Sequence, residues 1–414
     1  MSSATNPPVE SFRLSQLIYD TRYRSITIQV VAFILILAGL FFLGTNIVRN
    51  LSELGKDFNF AFLSSRAGYD INQRLIEYSN DSTHGRAALV GILNTLLVAF
   101  LGCILATILG VIAGVLRLSK NWIVGRLMTV YVEGFRNIPL LLWIILIFAV
   151  MTESTPQPRD FRGDNPEASM ILFDSVAVTN RGIYTPAVQF TNIIGGAEAS
   201  SLTNWLVIIA LVVGSIVAIR RINASATAKQ EATGIRPTTW YINLGVFFVP
   251  LIAALLLMGA HLNYPELRGF NFADGIHMRN SLIALWFALS LYTGAFIAEI
   301  VRAGIMAVSR GQTEAAFALG LRPNRTMNLV ILPQAMRVII PPLISQYLNL
   351  TKNSSLAIAV GYMDVRSTLG GITINQTGRE LEGMLLLGLF YLVTSLVISG
   401  AMNIYNNSVK LKER

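Results

Sequence analysis

The sequence predicts an all-α integral membrane protein with about eight transmembrane helices. Two observations carry that expectation. Hydrophobic residues make up 53% of the 414 positions while charged ones make up 13%, a balance foreign to soluble multidomain chains. Apolar runs also recur at the length of about 20 residues that a helix needs to cross a hydrocarbon core of roughly 30 Å.

The first run, 25–45, is too long and lies too far from the N-terminus for a cleaved signal peptide, so it reads as a retained helix. Further spans are expected at 88–116, 127–150, 202–219, 240–260, 281–301, 338–361 and 384–404. The stretch 202–219 is short, and 338–361 is interrupted by Lys352, Asn353, Ser354 and Ser355. If the N-terminus is cytoplasmic and the sides alternate, 18 Lys/Arg fall on short inner segments and 12 on much longer outer ones. Lys/Arg density in short loops orients membrane chains, so a multi-pass protein with both termini in the cytoplasm is expected. Lipid would surround its spans.

The outer segment 151–201 is rich in Ser, Thr, Gly and Pro; it is expected outside and partly structured, because backbone without helix cannot lie in lipid. The chain divides into 1–86 with the first helix and an outer segment, 87–150 as the first part of a core, 151–280 as an insertion with two extra spans, and 281–414 as the second part of the core.

Several function classes lose support. Cys103 is the only cysteine, which excludes disulfides and thiolate clusters within one chain. His84, His261 and His277 all lie between apolar runs, so no helix offers the imidazole pair of a transmembrane haem. The net charge of +9 is scattered at the ends of apolar runs and forms no nucleic-acid-binding stripe. No GxxxxGK[ST] pattern, internal repeat or catalytic or metal-ligating constellation occurs. Nucleotide chemistry, if any, must reside on another chain, and this one is expected to hold no bound cofactor.

The most informative segment lies between 302 and 337. Ser309 to Gly320 reads as a short helix: Ser309 and Gln312 fit a capping box, and Gly320 followed by Pro323 supplies the stop. Ala315 and Ala316 form a low-profile surface suited to a cleft on a partner, with Glu314 as a polar anchor, and a second short helix is expected at 324–332.

Glu314, Ala315, Ala316, Gly320, Val330, Leu332 and Pro333 together resemble the EAA-x3-G-x9-I-x-LP loop of ATP-binding-cassette importer permeases, with Val330 standing for Ile. The resemblance implies a type I importer core and a coupling helix that docks on a cytoplasmic ATPase dimer. The segments Asn94-Thr-Leu-Leu, Arg117-Leu-Ser-Lys-Asn121, Glu133-Gly-Phe-Arg-Asn-Ile-Pro-Leu-Leu141, Gly294-Ala-Phe-Ile-Ala-Glu-Ile-Val-Arg302, Pro333-Gln-Ala-Met-Arg337 and Lys352-Asn-Ser-Ser-Leu356 look like those of the polar-amino-acid importer permeases. With its extra helices, the chain resembles the longer permease subunit of broad-specificity L-amino-acid importers. That likeness implies a second, different permease subunit and an extracytoplasmic amino-acid-binding protein as partners. The alternative from another class, a secondary amino-acid transporter or channel without ATPases, leaves the loop around Glu314 without a purpose.

The residues alone leave the substrate-pathway candidates open. Glu299 and Arg302 fit either a local i,i+3 ion pair or a functional role, as a gate or a contact to the coupling helix. Glu133, Arg136 and Asn137 precede Pro139; a Glu133–Arg136 pair competes with an aqueous-path role, and Pro139 is expected to bend the helix and free a carbonyl. Lys352, with Asn353, Ser354 and Ser355, fits a substrate-carboxylate site or a lysine snorkelling to headgroups. Ala106, Gly110 and Gly114 form a small-residue packing face, and Asn94 reads as structural.

Overall fold

A computed structural model describes residues 16–53, 55, 57–163, 166–194 and 201–409. The first fifteen residues and the last five, on whose charges the orientation argument partly rests, lie outside that set, as do 164–165 and 195–200 of the outer segment.

A short α1 (Gln16–Tyr19) precedes α2 (Thr21–Glu53), which continues well past the apolar run that marked it. α3 (His84–Leu116) starts where the Thr83 hydroxyl accepts the N–H of Arg86 at 3.2 Å. α4 (Trp122–Asn137) starts where Asn121 Oδ1 accepts the N–H of Ile123 at 3.0 Å. Both are side-chain N-caps on orphan donors. α5 (Leu140–Ser154) follows after Ile138 and Pro139, and its axis turns from that of α4 by 108°. The single span expected at 127–150 is therefore corrected to a broken pair. Pro139 lacks an N–H, and its ring forces Ile138 out of the helical region to φ −107°, ψ 135°. With that pair counted as one crossing the described residues hold eight apolar crossings, and seven without it.

The segment expected outside folds into β1 (Ala177–Thr179), β2 (Gly182–Thr185) and β3 (Ala187–Phe190) before the chain enters a helical hairpin, α6 (Ser201–Thr233) and α7 (Trp240–Leu257). It returns as β4 (Ala260–Asn263), β5 (Glu266–Arg268), β6 (Asn271–Ala273) and β7 (Ile276–Arg279). β2 pairs antiparallel with β1 and β7, setting Ile183 opposite Met278, and β3 pairs with β4, setting Val188 opposite Leu262. The all-α expectation thus holds for the spans, and a small β lobe joins the two ends of the insertion. The short span at 202–219 is also corrected: α6 runs 33 residues, about 50 Å. Good helix formers such as Ala, Lys and Gln carry it beyond the apolar stretch.

α8 (Asn280–Met306) leads through three residues to α9 (Arg310–Ala318). Then α10 (Pro323–Thr326), a π-helical turn at Met327–Ile331 and α11 (Leu332–Asn353) run on without a break. The separate helix expected at 324–332 is therefore the first part of a longer one. Pro333 has no N–H to give the fourth residue back, and the π turn immediately before it absorbs the mismatch. A 3-10 helix at Ser354–Val360 ends at Gly361, where φ is +69°. The chain continues as α12 (Val365–Ser367), a π turn at Thr368–Thr373 and α13 (Ile374–Thr377), then α14 (Glu380–Val409).

α8 is the central helix. The most apolar stretch of α8 is 72% buried within the chain, against 0% for α2 and α7. It packs mainly on α3, α5 and α11. The Ala106, Gly110, Gly114 face of α3 lies against it, so the packing reading of those residues is what the structure displays. A Cβ on Gly110 would come within 2.5 Å of Ile297 Cβ, and one on Gly114 within 2.6 Å of the Ala298 carbonyl oxygen. Asn94 is fully buried and donates to the carbonyls of Gln73 and Met363 at 2.7 and 2.9 Å, fastening α3 to the stretch that precedes it and to the segment that follows Gly361.

Candidate functional site

α9 is held between two spans. Ser309 has the extended N-cap backbone, but its side chain makes no cap bond, so the expected capping box does not form. Instead Gln312 Oε1 accepts from Gln334 Nε2 of α11 at 3.3 Å. The far end is a Schellman turn: Gly320 takes φ +75°, its N–H reaches the Phe317 carbonyl at 2.9 Å, and the Leu321 N–H reaches the Ala316 carbonyl at 3.1 Å. Gly320 supplies the stop that the sequence indicated.

Glu314 and Ala315 face solvent, whereas Ala316 is buried against the chain itself, so the pair does not share one docking face. The outward face carries larger apolar groups that sequence reasoning passed over: Phe317 is 48% exposed and Leu319 82% exposed. Their signal was the presence of apolar side chains on a short, otherwise polar helix. Leu332 is exposed and Pro333 half-buried at the start of α11, beyond the π turn on which α9 rests.

About two turns before the end of α8, Glu299 bonds Arg302 Nη2 through Oε1 at 2.5 Å, the local i,i+3 pair. It also bonds Arg117 Nη1, at the C-cap of α3. Arg117 is only 11% exposed, and its second nitrogen lies 4.0 Å from Glu133 Oε1 on α4. One guanidinium thus joins α3, α4 and α8. Sequence spacing held no signal for a pair 182 residues apart. The Glu133–Arg136 pair does not form: Asn137 Nδ2 donates to Glu133 at 3.3 Å, and the Arg136 guanidinium sits 5.3 Å from the Phe296 ring centroid.

At the other end of the core, Lys352 is exposed and makes no ion pair among the described residues. Asn353 and Ser355 are half-buried, and the buried Ser354 hydroxyl donates to the Thr351 carbonyl at 2.7 Å as the helix tightens to 3-10. The helix changes pitch there and does not break. The polar residues brought together nearby are ones the sequence did not single out. Asp364, fully buried, accepts the N–H and the hydroxyl of Ser367 at 2.8 and 2.9 Å. Tyr362, Ser367 and Asn375 line a cavity of about 290 Å³ on the stretch between α11 and α14. Lys352 does not line it.

The family of binding-protein-dependent transport system inner membrane components matches residues 237–411. The glutamate/glutamine/aspartate/asparagine transport system permease protein of Rhodobacter capsulatus is 62% identical over the whole of both chains. A general L-amino acid transport system permease protein of Rhizobium johnstonii is 41% identical, over 98% of this chain and 96% of its own. A probable glutamine ABC transporter permease protein of Bacillus subtilis is 35% identical over 43% of this chain and 79% of its own, a shorter relative.

Proposed function

We propose a function for a chain that belongs to the binding-protein-dependent inner membrane components, the permease subunits of ATP-binding-cassette importers: it is the permease through which L-amino acids enter the cell. The relative with 62% identity is named for glutamate, glutamine, aspartate and asparagine, and we assign the acidic amino acids and their amides as cargo. An extracytoplasmic binding protein delivers the amino acid to the outer face. This chain pairs there with a second permease subunit, a different chain. Both of its termini are cytoplasmic, and it has no catalytic site of its own; ATP and Mg reside on a partner ATPase dimer.

The observation that carries this reading is α9. It presents Glu314, Ala315, Phe317 and Leu319 outward, it is tied to α11 through Gln312, and three residues join it to α8. A push from closing ATPases on that face moves α8, and Arg117 relays the movement to α3 and α4. Alternating access follows if the two permease subunits respond in concert. A secondary transporter has no use for such a helix.

Reconstituted complex with its ATPase and binding protein should take up labelled glutamate only with ATP; equal uptake without the ATPase would overturn the proposal. Sidedness has its own test. In a Cys103→Ser background, Ser175→Cys should react with an impermeant maleimide from outside intact cells, and Ala232→Cys, exposed near the end of α6, only after permeabilisation. The reverse pattern would invert the assigned topology.

A further inference from the structure

We propose that the inner end of the α6–α7 hairpin is a binding site for the headgroup of an anionic phospholipid, occupied from the leaflet next to the 234–239 turn. The observation is a cavity of about 450 Å³ between the two helices, large enough for a phosphodiester headgroup. Arg221, Ser225 and Lys229, each four residues from the next, line its α6 wall, and Thr238, Tyr241 and Ile242 line the other. A helix sets residues four apart on one face, so the two cations flank a hydroxyl along a single rail.

Charge complementarity selects the occupant. Between 201 and 260 the chain carries Arg220, Arg221, Lys229 and Arg236 against a single acid, Glu231. Neither Arg221 nor Lys229 makes an ion pair among the described residues. Glu231 stands two positions from Lys229, a spacing that turns the side chains apart on a helix. A phosphate diester offers the bidentate partner that a guanidinium fits, with the ammonium and the Ser225 and Thr238 hydroxyls left to its other oxygens.

Depth selects a lipid over a soluble anion. The apolar part of α6 ends immediately before Arg220 and α7 begins at Trp240, so the cavity straddles the boundary between hydrocarbon and water. Below it, Val217, Ile242 and Leu244 are 41–48% exposed and offer a path for acyl chains. Beside it, Trp240 and Tyr241 are exposed at the level where such rings favour headgroups. The site is also built. Asn223 Oδ1 accepts from Thr239 Oγ1 at 3.2 Å and from Asn243 Nδ2 at 3.1 Å, clamping the helices at that level. α6 and α7 pack chiefly on each other, and through β3 and β4 on the outer lobe, so this end is free of the core.

The inference rests on the proposed membrane orientation only for which leaflet supplies the lipid; retention of lipid is read without transport. The complete complex, extracted in mild detergent and mixed with lipid micelles holding equal phosphatidylglycerol and phosphatidylcholine, is examined by native mass spectrometry. Wild type should retain phosphatidylglycerol. Arg221→Ala with Lys229→Ala should retain roughly thirtyfold less, at about fivefold for each basic residue near a lipid surface. Arg162→Ala with Arg268→Ala in the outer lobe, the same change of charge, should retain as much as wild type. Ser225→Leu, which fills the cavity and keeps every charge, should also lose the lipid. Retention unchanged in both cavity variants overturns the proposal. So does displacement by millimolar inorganic phosphate, which would make the occupant a free anion, or an ATPase subunit found cross-linked to Ser225→Cys in place of lipid.

Discussion

At Gly110 α3 meets α8 with no room for a side chain. Gly110→Val should destabilise the folded chain by about 1–3 kcal/mol, the usual cost of overpacking, because the new atoms meet Ile297 and the Gly294 carbonyl. Thermal unfolding of the purified protein should drop, whereas Gly134→Val, where a Cβ meets nothing within 4 Å, should leave the midpoint in place. Arg117 holds three helices through one planar group. Arg117→Ala leaves Glu299 with Arg302 as a remaining partner, so the loss should be about 1–2 kcal/mol, below that of a fully buried pair. Arg117→Lys, lacking the second arm of the fork, should recover only part of it. A midpoint equal to wild type in Arg117→Ala would remove the relay assigned to this residue.

Among the elements, α9 was legible because its signals are local. Gly320, the polar composition and the spacing to Leu332 and Pro333 all act within a few turns, and the structure keeps the helix end where they put it. The capping box failed for a tertiary reason, since Gln312 has a partner on α11 that the sequence pattern does not contain. The 108° turn between α4 and α5 was half legible: Pro139 announced a disturbance, but composition cannot tell a bend from a break. The substrate-pathway candidates were least legible. Their pairings run from Glu133 to Arg117 and from Arg136 to Phe296 across different helices, and an apolar background conceals which helices meet. A prediction belongs to this scale. Leu319→Asp should leave expression and thermal stability as in wild type, because the side chain is 82% exposed. Affinity for the ATPase should fall by roughly tenfold, as for loss of a modest interface anchor. Pull-down at graded ATPase concentration measures it, and undiminished binding would exclude Leu319 from the docking face.

For the molecule as a whole, the core is a bundle about α8 and the insertion is a separate two-part structure, a hairpin in the membrane and a β lobe outside it. Hydropathy revealed the hairpin. It was silent about the lobe, whose strands of three or four residues are too short to display a period of two. The lobe should be acid-sensitive. His277 stacks on Tyr184 with ring centroids 4.2 Å apart, and burial, helped by the Arg279 charge, holds its imidazole below the usual value near 6.5 despite a hydrogen bond with the Arg181 carbonyl. A histidine with a depressed folded pKa binds fewer protons than in the unfolded chain, so stability rises with pH through the window below about 6.5 and is lost as pH falls through it. Amide exchange at Ile183 and Met278, corrected for intrinsic rates, should quicken between pH 7.5 and 5.5 in wild type. His277→Gln should flatten that dependence; an equal slope in the variant would assign the sensitivity to another group.

The pairing of β2 with β7 has a consequence for how the protein is made. The strands lie on either side of the hairpin in sequence, so Ile183 can meet Met278 only after both intervening helices have been inserted and the chain has returned to the side from which it left. A nascent chain in which either helix slips out of the bilayer strands β7 on the wrong side and leaves β2 with an open edge, the kind of surface that aggregates or attracts proteases. Closure of the small sheet therefore has a topological precondition: both helices of the hairpin must already have crossed the membrane.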